Sequence, residues 1–185
     1  GMIETAENLA TEYQISREEA DAYALSSQQR AAAAWENGAF ADEVIPVTVP
    51  QRRGDDIVFD KDEGVRPDVN MEKLGKLRTI MKDGTVTAGN ASQQNDAAAA
   101  CLVVAEDVLQ DLKLDPMGYM LGWSAVGCHP ATMGIGPVGA VQKLFSKSDV
   151  SLDDMDLVEI NEAFACQVLA CLKGLEWNDP ARLNV

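Results

Sequence analysis

Asn161 and Glu162 are the residues best placed to do chemistry. They stand where a short apolar run, Leu157, Val158 and Ile160, gives way to a polar pair. A small-residue helical pattern then continues to about Lys173. An amide and a carboxylate at the end of a buried strand can offer a donor and an acceptor to a ligand. Open α/β sheets keep their ligand sites at such strand ends. Read locally, the same two residues would serve equally well as the cap of the following helix. A second polar stretch, Thr85-Val-Thr-Ala-Gly-Asn-Ala-Ser92, is dense in small residues, hydroxyls and amides. Such a loop lets backbone approach a ligand closely, although an ordinary turn has the same composition.

Other chemistries find little support. The only histidine, His129, follows Cys128 directly, and adjacent side chains on an extended segment point apart, so the two do not form a nucleophile–base pair. Cys101, Cys128, Cys166 and Cys171 are scattered; they supply neither the convergent ligands of a metal site nor the crowded spacing of a disulfide scaffold. They read as reduced, buried thiols of a cytoplasmic protein, with no metal expected. Gly134-Ile-Gly136 ahead of a helix lacks a phosphate-binding fingerprint.

The elements around these residues can be read in order. Ile3 to Tyr13 forms a short helix. Ser16 and Glu19 make a capping box that opens a long helix over 17–36 with an alanine-rich packing face, ended by Asn37-Gly38. Glu43–Pro50, interrupted by prolines, and Ile57–Phe59 form a hairpin at a sheet edge. Met71 to Arg78 is a short helix capped by Asn70, with Met71, Leu74 and Leu77 turned inward. The uninterrupted apolar run 97–105 reads as a buried central strand, followed by a helix over 106–112, a strand over 118–126 and a helix over 138–145. A fresh strand-like start at Leu183-Asn-Val185 suggests a chain that continues. The fold class is α/β.

Charge narrows the partners. The formal net charge of −15 argues against nucleic acid and against adhesion to an anionic membrane, and no apolar run is long enough for membrane insertion. Residues 1–50 carry two basic side chains against nine acidic, whereas 51–82 carry eight basic (Arg52, Arg53, Lys61, Arg66, Lys73, Lys76, Arg78, Lys82) against seven acidic. A basic island in an acidic chain can attract a phosphorylated small molecule; a solvated mixed-charge loop has the same composition.

Six stretches together resemble the thiolase family: Thr5-Ala-Glu-Asn8 followed by Ser16–Gln28, Lys76-Leu-Arg78, Gly84–Ser92, Asn95-Asp96, Met133-Gly-Ile-Gly-Pro137 and Asn161-Glu-Ala-Phe-Ala165. They occur in the family's order along the whole chain. The resemblance implies reversible acyl transfer between coenzyme A thioesters, either thiolysis of a 3-ketoacyl-CoA or condensation of two acyl-CoA molecules. It implies a partial layered αβαβα core with an inserted α+β loop domain: 1–92 as the loop domain covering CoA, 93–125 finishing the first half, and 126–185 opening the second. No cofactor is implied, CoA being a substrate. The partner is CoA or acyl-CoA, and the full-length assembly would be a homodimer or homotetramer.

By the same resemblance Asn161 holds a catalytic water that forms half of an oxyanion hole; preorganised donors of this kind are worth about 3–4 kcal/mol of barrier. Ser92 and Ala88 would lie against the pantetheine arm, Met133 and Phe164 would line the pocket, and Arg66 and Leu74 would sit beside the adenine with the basic island facing the phosphates. A CoA-contacting histidine that family members often carry at the start of this region is Gly1 here. The family's nucleophilic cysteine, its Gly-His-Pro histidine and its second cysteine match nothing in the sequence. The expectation is an internal piece of a thiolase, inactive alone, with unpaired apolar faces; the alternative is a non-catalytic CoA-binding or assembly module.

Overall fold

A computed structural model describes all of residues 1–185. The fold is organised around helix α6 (Ala165–Gly174), in which Ala165, Cys166, Gln167, Val168, Ala170 and Cys171 are all buried. A helix that is apolar nearly all round must be covered on several sides. Helix α1 (Met2–Glu12) covers one side, with Ala6, Leu9 and Ala10 joining Ile15, Val86, Cys166 and Ala170 in one cluster. Helix α2 (Arg17–Glu36) covers another through Ala20 and Ala24 against Ala165. A third cluster joins Val168 and Cys171 to Val138, Ile160, Trp177 and Leu183. Alanine at the α2 contact permits close approach, as the composition of that helix predicts.

Local signals account for the starts of two of the helices. Ser16 accepts from the Glu19 amide at 3.1 Å and the Glu19 carboxylate accepts from the Ser16 amide at 2.7 Å, the reciprocal box expected at the start of α2. The Asn70 side chain accepts from the Lys73 amide at 2.9 Å and opens helix α3 (Met71–Gly75). Leu74 is buried, while Leu77 is more exposed than its expected inward position. Strands β1 (Val47–Val49) and β2 (Ile57–Phe59) form the expected antiparallel hairpin, Val47 opposite Phe59. Gly54, at φ +88°, supplies the left-handed residue in its turn.

The expected strands over 97–105 and 118–126 do not form as such. Both segments lie exposed with no ladder, Leu102 at 74% and Leu121 at 98% exposure. A strand needs a neighbour to satisfy its backbone groups, and nothing within the chain pairs with either segment. The second lies along helix α5 (Gly136–Phe145), where the Ser124 hydroxyl donates to the Ala140 carbonyl at 2.6 Å and Lys143 donates to the Ala125 carbonyl at 2.8 Å. The helix expected over 106–112 shrinks to a 3₁₀ turn (Glu106–Val108) and one turn of helix α4 (Leu109–Leu112). Cys101 and Cys128 are exposed and only Cys166 and Cys171 are buried, correcting the reading of four buried thiols; Cys101 follows its unpaired segment into solvent.

The strand leading to Asn161 does find a partner. Val158 pairs in parallel with Leu183: the Val158 amide donates to the Arg182 carbonyl at 2.8 Å, and the Asn184 amide donates to the Val158 carbonyl at 2.9 Å. With α6 between them, the two segments outline a strand–helix–strand unit whose crossover helix packs back onto its strands.

Candidate functional site

Neither Asn161 nor Glu162 caps helix α6. The helix begins at Ala165 with Phe164, still extended at φ −147° and ψ 140°, at its N-cap and no capping side chain. Ala91 and Phe164 form an antiparallel bridge. Around it the Ser92 amide donates to the Ala163 carbonyl at 3.0 Å, and the Ala165 amide donates to the Asn90 carbonyl at 2.9 Å. Backbone pairing therefore holds the two polar stretches of the sequence side by side.

The loop 85–92 is fixed from beneath. Glu7 of α1 accepts from the Thr85 amide at 2.8 and 3.0 Å and from the Val86 amide at 2.8 Å. Asn90, 4% exposed, accepts from the Thr87 amide at 2.8 Å and donates to the Thr85 carbonyl at 3.0 Å and to Asp21 at 2.9 Å. Asp21 in turn pairs with Arg17 at 2.7 Å, and Arg17 reaches the Leu74 carbonyl at 2.6 Å. A buried carboxylate needs such partners; here they join α2, α3 and the loop. Gly89 is where loop and α3 nearly touch: a Cβ there would lie 2.5 Å from Leu77 Cδ1 and 2.6 Å from Leu74 Cδ2.

Two adjoining clefts result. The first, about 610 Å³, is lined by Ser92, Asn161, Glu162 and Asn184 together with Tyr23, Ser27 and Arg30 of α2. The second, about 490 Å³, is lined by Arg66, Lys73, Leu74, Leu77 and Ala88. Gln28, Gly89, Ala91 and Gln93 line both and form the ridge between them. Of the residues singled out in the sequence, Asn161 and Ser92 thus share one cleft while Arg66, Leu74 and Ala88 share the other. Met133 and Phe164 line neither: Met133 lies exposed in the 3₁₀ segment Pro130–Ile135, and Phe164 packs on the α1–α6 core.

Asn161 is exposed and its side chain makes no hydrogen bond within the chain, whereas Glu162 is fully engaged. Tyr23 and Ser27 donate to the two Glu162 oxygens at 2.7 and 2.5 Å, and Asn184 donates at 2.9 Å. Burial, and then the neighbouring Glu162 carboxylate, hold the Tyr23 phenol above its ordinary range. These partners were invisible as site residues in the sequence, where Tyr23 and Ser27 read as part of a small-residue packing face. The available signal was the spacing of Tyr23, Ser27 and Arg30, three polar residues at i, i+4 and i+7 on an alanine-rich helix.

The clefts contain neither a thiol nor an imidazole. No cysteine or histidine lines either one. Burial, and secondarily the Glu7 charge, push the Cys166 thiol up to about 11; burial also raises Cys171. The thiolate is the reactive form, so neither buried cysteine is primed for attack. No group of three or more His, Cys, Asp or Glu side chains could hold a metal ion. The basic island is partly neutralised by its own acids: Lys73 pairs with Asp68 and Lys76 with Glu72, each at 2.5 Å and exposed. Such exposed pairs are weak and screened by solvent, so a phosphate could displace the carboxylates. The arrangement can bind an extended ligand across two clefts and offer it an unpaired amide.

Known proteins resemble this chain in sequence and in fold. The family pattern "Thiolase, N-terminal domain" matches residues 1–107, and "Thiolase, C-terminal domain" matches residues 114–185. The chain is 51% identical over 182 residues to a probable acetyl-CoA acyltransferase of Staphylococcus aureus (strain COL), covering 98% of this chain and 46% of that protein. An acetyl-CoA acetyltransferase of Chromobacterium violaceum is also 51% identical over 182 residues, with 97% and 46% covered. The crystal structure of the Bacillus anthracis acetyl-CoA acetyltransferase superposes with a TM-score of 0.94 at 46% identity, over 99% of this chain and 46% of that one. Human mitochondrial 3-ketoacyl-CoA thiolase in complex with CoA superposes with a TM-score of 0.87 at 42% identity, over 100% and 46%. The chain spans about half the length of these relatives, and its α/β architecture is thiolase-like even where its own strands are unpaired. On sequence pattern and fold alike, this chain belongs to the thiolase family.

Proposed function

We propose that the protein carrying this chain transfers acyl groups reversibly between CoA thioesters, cleaving a 3-ketoacyl-CoA with free CoA or condensing two acyl-CoA molecules. The observation that carries the reading is the pair of adjoining clefts, one holding the unpaired Asn161 amide and the other Arg66, Leu74 and Ala88. A CoA thioester is long, apolar in its pantetheine middle and anionic at its nucleotide end, and a run from Arg66 past Ala88 and Ser92 to Asn161 fits that order. In this reading Arg66 and Leu74 take the adenine end, Ala88 and Ser92 flank pantetheine, and Asn161 holds the water of the oxyanion hole. The place of Met133 and Phe164 as pocket lining rests on the family resemblance alone. Residues 1–92 form the CoA-covering domain, with 93–125 and 126–185 belonging to the two core halves.

In this reading neither the nucleophile nor the base comes from the two clefts, which offer no cysteine or histidine. That observation also favours a second reading, a CoA-binding module without chemistry. Further parts of the proposal are a cytoplasmic setting, a role in fatty acid metabolism and a homo-oligomeric assembly; no helix is long and apolar enough to cross a membrane. Acetoacetyl-CoA thiolysis tests the reading. The polypeptide as its reading frame encodes it should turn over and the 185-residue chain alone should not. CoA binding without turnover by the encoded polypeptide would favour the module, and enzyme-like turnover by the 185-residue chain would refute the assignment of nucleophile and base.

A further inference from the structure

Glu162 is the most fully engaged carboxylate of the first cleft, and acyl transfer as proposed gives it no chemical step. Its acceptor capacity is met by three neutral donors from two distant parts of the chain. The Tyr23 and Ser27 hydroxyls come from one face of α2, and the Asn184 amide comes from the segment beside the site strand. No cation pairs with it; the one arginine on the same face of α2, Arg30, is committed to the carbonyls of Pro180, Leu183 and Asn184 at 3.0, 2.6 and 3.2 Å. The carboxylate therefore cannot move without leaving hydroxyl or amide donors unmatched.

Its position in the chain gives this a consequence. The Asn161 side chain has no hydrogen bond of its own, so its direction is inherited from the backbone on either side. On the N-terminal side the Ile160 amide donates to Asn184 Oδ1 at 2.8 Å, and Asn184 Nδ2 donates to the Ile160 carbonyl at 2.8 Å. On the C-terminal side the only side-chain anchor before the Ala163 backbone pairing is Glu162. Asn184 contacts both flanks and ties them together.

We propose that Glu162 is a positioning residue: gripped by Tyr23, Ser27 and Asn184, it fixes the backbone that aims the Asn161 amide into the cleft. The proposal rests on the acyl-transfer reading for its catalytic consequence, but the ordering of Asn161 is measurable without turnover. Glu162→Gln keeps the shape: one oxygen still accepts from Tyr23 and Asn184, and Ser27 can rotate its hydroxyl to accept from the new amide.

The test is a double-mutant cycle in the encoded polypeptide, read by thiolysis kinetics and by the side-chain amide resonance of Asn161. Glu162→Ala should lower kcat about 10²-fold, the cost of a small misplacement at a reacting centre, while leaving the KM for CoA near its starting value. Glu162→Gln should stay close to the unsubstituted rate. In an Asn161→Ala background Glu162→Ala should cost little more, because the residue it aims is gone. Ser27→Ala, which removes one donor of three, serves if Glu162→Ala fails to fold, and should shift the Asn161 resonance in the same direction. Additive losses in the cycle, or an Asn161 resonance unchanged by either variant, would overturn the proposal. An unsubstituted protein without turnover whose Asn161 resonance still collapses on substitution would keep the proposal and remove the acyl-transfer reading.

Discussion

Cys166 and Cys171 sit within the motif-bearing helix, yet their environment makes them packing residues. Cys166 is 1% exposed and donates weakly to the Ala6 carbonyl at 3.4 Å; Cys171 is 0% exposed and faces the Gly134 carbonyl at 3.3 Å. Alkylation at pH 8 should modify the exposed Cys101 and Cys128 in the native protein and leave Cys166 and Cys171 unlabelled until it unfolds, as peptide mass mapping would show. The folded state favours the protonated Cys166 thiol, so its contribution to stability is intact below the ordinary value of 9.0 and is lost as pH rises towards about 11. Unfolding midpoints in urea should fall across that window, and less so in Cys166→Ala. At this scale the sequence marked Asn161 and Glu162 alike as strand-end polar groups, and only the partners of Glu162 were illegible. The difference is that Asn161 is defined by its place along the chain, whereas Glu162 is defined by partners 135, 139 and 22 residues away.

Among the elements, those with short-range causes were read well. The capping box of α2, the Asn70 cap of α3 and the hairpin all depend on residues within a few positions of one another, and all formed. Helix α6 began later than its pattern suggested, because pairing with Ala91 keeps Phe164 extended; no local signal carries that. The tie between α2, α3 and the loop 85–92 passes through Asp21, 2% exposed, which holds both Arg17 and Asn90. Removing one partner of a buried ion pair costs about 3–5 kcal/mol. Arg17 is partly exposed and keeps its bonds to the Leu74 and Leu77 carbonyls, so Asp21→Ala should cost about 3 kcal/mol, the low end. It should also weaken CoA binding by loosening the second cleft. Urea denaturation and calorimetric titration of the encoded polypeptide would check both; a loss below about 1 kcal/mol, the range of exposed pairs, would show that the network does not hold the cleft.

For the whole molecule, the uneven distribution of burial matters most. The core gathers around α6, while 97–126 leaves Leu102, Val103, Met117, Met120, Leu121 and Trp123 in solvent. Exposed apolar runs with unpaired backbone favour association. The 185-residue chain alone should therefore elute as oligomers or aggregate, and replacing Leu121 and Trp123 with lysine should shift it towards monomer in sedimentation. The reading of 97–105 and 118–126 as strands rested on their apolar character alone; both are exposed and unpaired, because a local pattern does not supply the neighbouring strand that pairing needs. The family emerges from stretches in their order along the chain, whereas the neighbourhood of Asn161 is assembled from segments far apart in sequence, with Ala91 beside Phe164 and Tyr23 beside Glu162. In the proposed function this neighbourhood stabilises charge on a thioester oxygen. The most direct measurement is acetoacetyl-CoA thiolysis by Asn161→Ala in the encoded polypeptide. Loss of one oxyanion-hole element should lower kcat about 10²–10³-fold with CoA affinity little changed, whereas a kcat equal to that of the unsubstituted protein would contradict the account.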